Sequence, residues 1–550
     1  MTIGIAIMVA LPLMVIFSGW LQPNNSVWQH LAQTVLADLI INTLVLQAGV
    51  AVGVLLLGVG LAWLTTMTEF PGRRWFDWLL MLPLAIPAYV LAFVVLGMFD
   101  FAGPLQTQLR EWFGSDIRLP QIRSTGGVII VMTLVLYPYV YMLARSAFLA
   151  QSAHTLDAAK ILGQNSWGVF FRVSLPMARP AIVAGLSLAM METLADFGTV
   201  AVFNYDTFTT AIYKAWFGLF NLQAASQLAS LLLIFVAVAL YAERHLRGRA
   251  KYHQAQALRD IRLPLKGFRA FFATAVSGLV FFLAFLLPVA QLCAWSYQVV
   301  TADLDRRYFE LLWHTLALGA SATLLTLTGA LLLAFAQRYQ GKKGDLIIRN
   351  SVAVATLGYA LPGSVLAVGV MLAVTGVDNA LGSLWHAFTG VETGQLLGGT
   401  VVALLIAYLV RFLAVAFGPI ESGLQRIRPS LADSARSLGA NNRRIFLSIY
   451  LPLLRPGLLT AALLVLVDVM KEMPATLLLR PFGWDTLSVR IYEMTSEGEW
   501  QHAALPAITL ILAGLLPVIV LVNRSARPIR ESVKQQPLSV NGHTKTQEPM

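Results

Sequence analysis

"DAAKILGQNSWGVFFRVSLPMARP", residues 157–180, and "DSARSLGANNRRIFLSIYLPLLRP", residues 433–456, are near copies 276 positions apart. Gly163 matches Gly439, Pro176 matches Pro452, and Pro180 matches Pro456. Each stretch is polar and charged, yet each leads directly into an apolar run. Both read as a short helix, a glycine turn, a second short helix, and a proline-marked start of a long one. Gly163 and Gly439 permit the positive φ that ends the first helix. Asn165 or Ser166, and Asn441 or Asn442, are suited to cap the second.

The surrounding chain is 57% hydrophobic and 12% charged, with a mean hydropathy of +0.70. Soluble domains carry about 25% charged residues. A chain of 550 residues this apolar cannot hide its side chains in soluble cores, so it reads as an integral membrane protein. The single cysteine, Cys293, excludes a disulfide framework and a thiolate metal cluster. The net charge of +11 fits basic loops at the inner leaflet better than nucleic-acid binding. Residues 3–21 have no Lys or Arg before them and no clear cleavage site, so they read as a retained first span.

Runs of about 20 apolar residues suit bilayer-spanning helices. They fall at 3–21, 40–64, 77–99, 127–150, 181–203, 224–242, 270–293, 311–336, 347–375, 396–418, 457–479 and 504–523. With the N-terminus in the cytoplasm, the cytoplasmic segments are 65–76, 145–180, 243–269, 337–349, 411–456 and 524–550. These hold 30 of the 39 Lys and Arg residues. That bias is the positive-inside pattern, and it sets both termini in the cytoplasm.

Other stretches repeat as well. "NTLVLQAG" (42–49) answers "HTLALGAS" (314–321), "IPAYVLAF" (86–93) answers "LPGSVLAV" (361–368), and "TTAIYKAW" (209–216) answers "SVRIYEMT" (488–495). The displacement drifts from 272 to 279, as small loop insertions would produce. The expected fold is therefore all-α, with about twelve transmembrane helices in two parallel homologous halves of six. Residues 1–242 form the first half, with its repeated segment at 154–180. Residues 243–269 form a basic cytoplasmic linker, and 270–523 the second half, with its segment at 430–456. Residues 524–550 read as a polar, disordered cytoplasmic tail.

The fifth span of each half carries acids. Glu192 and Asp196 stand four residues apart, as do Asp468 and Glu472, and the repeat pairs Glu192 with Asp468 and Asp196 with Glu472. Glu192 lies roughly 18 Å along its helix at 1.5 Å per residue, which is bilayer depth. Intramembrane carboxylates usually face a bundle interior or a wet cavity. They would line a path for a cation or a hydrogen-bonding solute. Alternatively they are structural, bonding Lys471, Arg145, or the backbone of a broken helix near Pro474. The eight histidines show no paired ligand spacing, so a histidine metal site is not expected, nor is any tightly held metal.

The patterns D-A-A-K-I-L-G (157–163) with L-P-M-A-R-P (175–180), and D-S-A-R-S-L-G (433–439) with L-P-L-L-R-P (451–456), resemble the E-A-A-x-x-x-G … L-P-x-x-x-P signature of ABC-transporter permeases of the type I importer class. Asp stands for Glu in both copies, and Ser434 for the first Ala. The stretches 192–216 and 471–494 look like the ferric-iron branch, whose members are often fused double permeases. The resemblance implies a translocation subunit of the bacterial inner membrane that is not itself an enzyme. It implies two copies of a cytoplasmic ATP-binding subunit, holding ATP and Mg²⁺, and a periplasmic substrate-binding protein. The segment residues that would engage the ATPase are Asp157, Ala158, Ala159, Gly163, Phe170, Asp433, Ala435, Gly439 and Phe446. Thiamine, phosphonate, polyamine and sulfate are the other cargoes of this branch. A proton-coupled secondary transporter is the rival class, with the acids as relay. No phosphate-binding G-x-x-x-x-G-K-[ST] loop occurs in the chain; "GKKGD" (341–345) lacks both the first glycine and the Ser/Thr.

Overall fold

A computed structural model describes residues 2–21, 26–114, 120–151, 157–159, 161–247, 262–338, 345–392 and 394–534. Residues 154–156 and 160 of the first repeated segment, 248–261 of the linker, 341–344 and 535–550 lie outside the described residues.

Among the described residues the chain is all-α apart from one two-residue parallel bridge, in which Thr68–Glu69 pairs with Leu263–Pro264. Among the described residues, eleven helices are long and apolar enough to cross a membrane. A twelfth has its apolar part at Ala504–Val520. The first half comprises α1 (Thr2–Ile16), α2 (Leu36–Met67), α3 (Ala88–Phe99), α4 (Thr125–Leu149), α5 (Leu175–Ala195) and α6 (Leu222–Arg247). The second comprises α7 (Phe268–Asp303), α8 (Arg306–Arg338), α9 (Gly363–Thr389), α10 (Val401–Gln425), α11 (Leu451–Lys471) and α12 (Ala504–Lys534). In each half the second, fourth and fifth helices form the packed centre: α2 with α4 and α5, and α8 with α10 and α11.

Four spans expected to be continuous are broken, at positions matched by the repeat. The third spans, 77–99 and 347–375, part at Ile86–Pro87 and Leu361–Pro362. There Ile86 (φ −89°, ψ 121°) and Leu361 (φ −88°, ψ 132°) are extended. Proline crowds the preceding residue out of the helical region, so the break follows from the X-Pro pairs themselves. The fifth spans, 181–203 and 457–479, part at Asp196 (φ −65°, ψ 128°) and Glu472 (φ −69°, ψ 114°). Each resumes as a short helix, Gly198–Val202 or Pro474–Leu479. The tail expected from 524 begins inside α12, which runs to Lys534. Arg, Ala, Glu and Lys are good helix formers, and they carry the helix past its apolar part.

The halves exchange their first helices. α1 packs on α9 of the second half, and α7 packs on α3 and α12 at the border of the two halves. The approach is close. A Cβ on Gly369 would lie 2.5 Å from the Pro12 carbonyl oxygen, and one on Gly97 would lie 2.7 Å from the Trp295 ring. Without a hydrophobic driving force inside lipid, contact at small residues is what holds helices together.

Gly369→Ala is expected to destabilise the protein by about 1–3 kcal/mol, because the backbone of α1 must move. Gly376→Ala, in the same helix with no atom within 4 Å of the new methyl, should be neutral or slightly stabilising. Thermal unfolding of both variants in detergent checks this; equal midpoints would refute the close packing of α1.

Candidate functional site

Two regions carry polar groups that a membrane bundle does not need. The first is the pair of repeated segments. Gly163 and Gly439 turn with φ of +83° and +81°. The Asn165 carboxamide oxygen accepts from Gly168 N at 2.7 Å, and the Asn441 oxygen accepts from Arg444 N at 2.8 Å. One π turn follows in each copy, Phe170–Ser174 and Phe446–Tyr450, just before Pro176 and Pro452. Proline has no N–H to give to the carbonyl four residues back, and a π turn accommodates the gap.

The nine residues assigned to the segments do not all face outward. Phe170 and Phe446 are half-buried. Phe170 meets Trp63 edge-on at 4.7 Å, and Phe446 meets Phe335 edge-on at 5.3 Å. Trp63 and Phe335 sit at matching places in α2 and α8, so these rings anchor each segment to its half. Ala159 is buried and Ala435 half-buried, whereas Ala158, Asp433, Gly163 and Gly439 are exposed. Asp157 is half-buried, and Asp433 pairs with Arg436 at 2.8 Å. The outward apolar surface comes from residues the motif did not single out. Ile161, Leu162 and Leu438 are 86%, 80% and 88% exposed, and Trp167 stacks on Phe171 at 5.9 Å with both rings exposed.

The second region is a central cavity of about 190 Å³. It lies where the four broken spans meet. All four predicted acids, Glu192, Asp196, Asp468 and Glu472, line it. Two of them are engaged with the helices they interrupt. The Asp196 carboxylate accepts from Thr199 N at 2.9 Å, Val200 N at 3.2 Å and Thr199 Oγ1 at 2.9 Å. Glu472 accepts from Ala475 N at 3.0 Å. Each acid thereby satisfies free N–H groups at the start of the resumed helix, where negative charge is also favoured by the helix dipole. This is the structural alternative expected near Pro474, and it holds in both halves.

Arg145, the second structural partner considered, is committed elsewhere. It makes a two-pronged pair with Asp77 at 2.6 and 2.5 Å. Lys471, the third, donates to the Leu84 carbonyl at 3.2 Å, reaching from the second half to the first. The cation that sequence reasoning missed is Arg411. Its Nε stands 3.2 Å from Glu472 Oε2, with both side chains almost fully buried, and its Nη1 donates to Leu361 O at the break before α9. A lone arginine within "VVALLIAYLVRFLAVAF" was the available signal; the sequence reading counted it among loop charges.

The remaining acids are less occupied. Among the described residues Glu192 accepts only from the Tyr359 hydroxyl, at 3.4 Å across the two halves. Asp468 accepts no hydrogen bond from a described residue, and it lies within electrostatic reach of Lys471, Glu192 and Arg411. Tyr139 and Tyr359 also line the cavity and feel both Glu192 and Asp468. The frame is thus twofold in backbone but not in charge. At the positions of Arg411 and Lys471 the first half has Val135 or Leu136, and Ala195.

Comparison with known proteins matches residues 54–247 and 327–531 to the family described as "Binding-protein-dependent transport system inner membrane component". A Haemophilus influenzae Fe(3+)-transport system permease protein is 27% identical over 494 residues, covering 88% of this chain and 90% of its own. A ferric transport system permease protein of Actinobacillus pleuropneumoniae is 23% identical, covering 90% of this chain and 72% of its own. An Escherichia coli molybdenum transport system permease protein is 30% identical, covering 33% of this chain and 80% of its own.

Arg411→Met would leave Glu472 buried and unpaired, which is expected to cost about 3–5 kcal/mol. Adding Glu472→Gln should recover most of that loss, since a neutral amide can still accept from Ala475 N. Unfolding midpoints of the single and double variants read this directly, and an R411M protein as stable as the parent would remove the pair from the account.

Proposed function

We propose that this chain, which belongs to the family of binding-protein-dependent transport system inner membrane components, supplies both membrane halves of an ATP-driven importer of ferric iron. The observation that carries the reading is the doubled segment. Two exposed segments, each with an outward leucine (Leu162, Leu438) before the same glycine turn and each anchored at the same point of its half, suit two copies of one partner. With no phosphate-binding loop in the chain, ATP and Mg²⁺ would be held by that partner, an ATP-binding subunit in the cytoplasm. In this reading both termini are cytoplasmic, and a periplasmic binding protein presents cargo at the opposite face.

Ferric iron is supported by the relatives that span both halves, which are named for ferric transport. The cavity adds a size argument. About 190 Å³ is small beside the roughly 300–1,000 Å³ of sites for drug-sized organic ligands, so an ion fits better than thiamine. Closure of the nucleotide-bound partners would move the two segments, and with them the halves. The contacts that must part are those crossing the cavity, Lys471 to Leu84 O and Tyr359 to Glu192. Glu192 and Asp468 face the cargo, while Asp196 and Glu472 hold the broken helices that shape the path.

Uptake into proteoliposomes holding this chain, its ATPase and its binding protein tests the reading, with ⁵⁵Fe³⁺ and labelled thiamine offered with and without ATP. ATP-dependent iron accumulation is expected. ATP-dependent thiamine uptake would keep the machine and discard the cargo, and uptake driven by a proton gradient without ATP would discard both. Separately, Gly163→Pro with Gly439→Pro should abolish co-purification of the ATPase while the chain still reaches the membrane. Proline fixes φ near −65°, against the +83° and +81° of these turns. Undiminished co-purification would argue against docking at these segments.

A further inference from the structure

Four side chains from both halves line the central cavity: Glu192 from α5, Asp468 from α11, Tyr139 from α4, and Tyr359 from the turn before α9, with the Tyr359 hydroxyl 3.4 Å from Glu192. Their mutual electrostatic influence marks them as one cluster. We propose that this cluster is a transient binding site for a hard trivalent metal ion, with two carboxylates and two phenolates as ligands, and that Lys471 is the group that keeps it weak. The proposal rests on the ferric reading above and specifies where in the membrane the ion stops.

Three observations point to a ligand. The first is unused capacity. Glu192 takes a single long hydrogen bond, Asp468 takes none from a described residue, and Tyr139 has no hydrogen-bond partner among the described residues. The second is Tyr89, which lines the same cavity on its Glu472 side at 7% exposure, with no hydrogen-bond partner for its hydroxyl among the described residues. A buried polar group left unpaired is costly, and its persistence calls for an explanation such as an ion. The third is charge. The cavity is lined by four carboxyl groups and by two cationic side chains, Arg411 and Lys471.

The donor set selects the ion. Oxygen ligands without histidine or thiolate suit hard cations and not soft ones. Phenolate is a recognised iron ligand, and each tyrosine that binds releases its proton. No three His, Cys, Asp or Glu side chains among the described residues stand close enough to hold a metal, so the tyrosines are essential to the assignment. Lys471 stands beside Asp468 and is anchored to Leu84 O. It competes with the metal for Asp468, as release of the ion requires. The first half has Ala195 at this position and still forms its break, so the lysine is not needed for the fold.

The experiment titrates the full chain in lipid nanodiscs with Fe³⁺–nitrilotriacetate and reads the visible phenolate-to-iron charge-transfer band, with ⁵⁵Fe uptake measured in parallel. The parent protein should show the band. The isosteric pair Tyr139→Phe and Tyr359→Phe should abolish it. Glu192→Gln with Asp468→Asn should weaken binding at least by the roughly 10-fold that loss of even an outer-shell partner costs. Lys471→Met should tighten binding and slow uptake, an opposition of sign that a folding defect does not produce. Absence of the band in the parent while ⁵⁵Fe uptake proceeds would overturn the site and leave the ferric reading intact. A band that survives in the double phenylalanine variant would also overturn it. A band that behaves as expected, in a transporter that moves another solute and not iron, would retain the site and overturn the ferric reading.

Discussion

A helix inside hydrocarbon can stop only where the backbone groups it releases find partners, and the centre of this protein is organised by that constraint. Four spans stop midway, and each stop has its own remedy. At Ile86–Pro87 and Leu361–Pro362, proline removes one donor outright and holds the chain extended. At Asp196 and Glu472 the residue at the break turns its carboxylate onto the first N–H groups of the next helix. Irregular backbone at this depth is tolerated where it borders a cavity and not where it borders lipid. The four breaks therefore cluster, and the space among them is the polar cavity. Discontinuous helices meeting at the interface of two repeats are a recurrent way of building a transport site.

The two halves solve the same problem with unequal chemistry. Asp196 needs no cation, because three hydrogen bonds from Thr199 and Val200 already compensate it. Glu472 receives one backbone hydrogen bond and adds Arg411. Arg411 in turn donates to Leu361 O, so one guanidinium links the break in the third span to the break in the fifth. The second half is tied together by charge where the first relies on local capping. A pair so deeply buried stabilises little relative to apolar packing, but removing one member is costly. The consequence is that the second half's two breaks are joined through one buried side chain, where the first half's are not.

Much of this was legible in the residues. The repeated segments, the parallel halves and the four acids all follow from spacing and charge, because polar residues in an apolar chain are expensive enough to be informative. Of the four helix breaks only the one near Pro474 was legible; the runs 77–99, 181–203 and 347–375 stay predominantly apolar across the other three. Arg411 lies inside the expected span 396–418 but was grouped with the cytoplasmic segment 411–456, whereas the helix that holds it runs from Val401 to Gln425. The exchange of first helices left no trace either, because α1 is apolar on all sides and its partner face has no periodic signature. Tyr139, Tyr359 and Tyr89 carry no spacing or charge signal in the sequence; only their place in a common cavity distinguishes them.

Duplication within one chain explains why the centre can be asymmetric while the periphery stays symmetric. Two identical subunits would place every charge twice, and two copies of Lys471 and Arg411 would balance all four acids. Fusion lets the halves diverge. Here they keep the same turns, anchors and breaks and differ at Ala195 and Lys471, and at Val135 or Leu136 and Arg411. The inner asymmetry places both cationic side chains of the cavity, Arg411 and Lys471, in the second half, and Lys471 reaches across to Leu84 of the first.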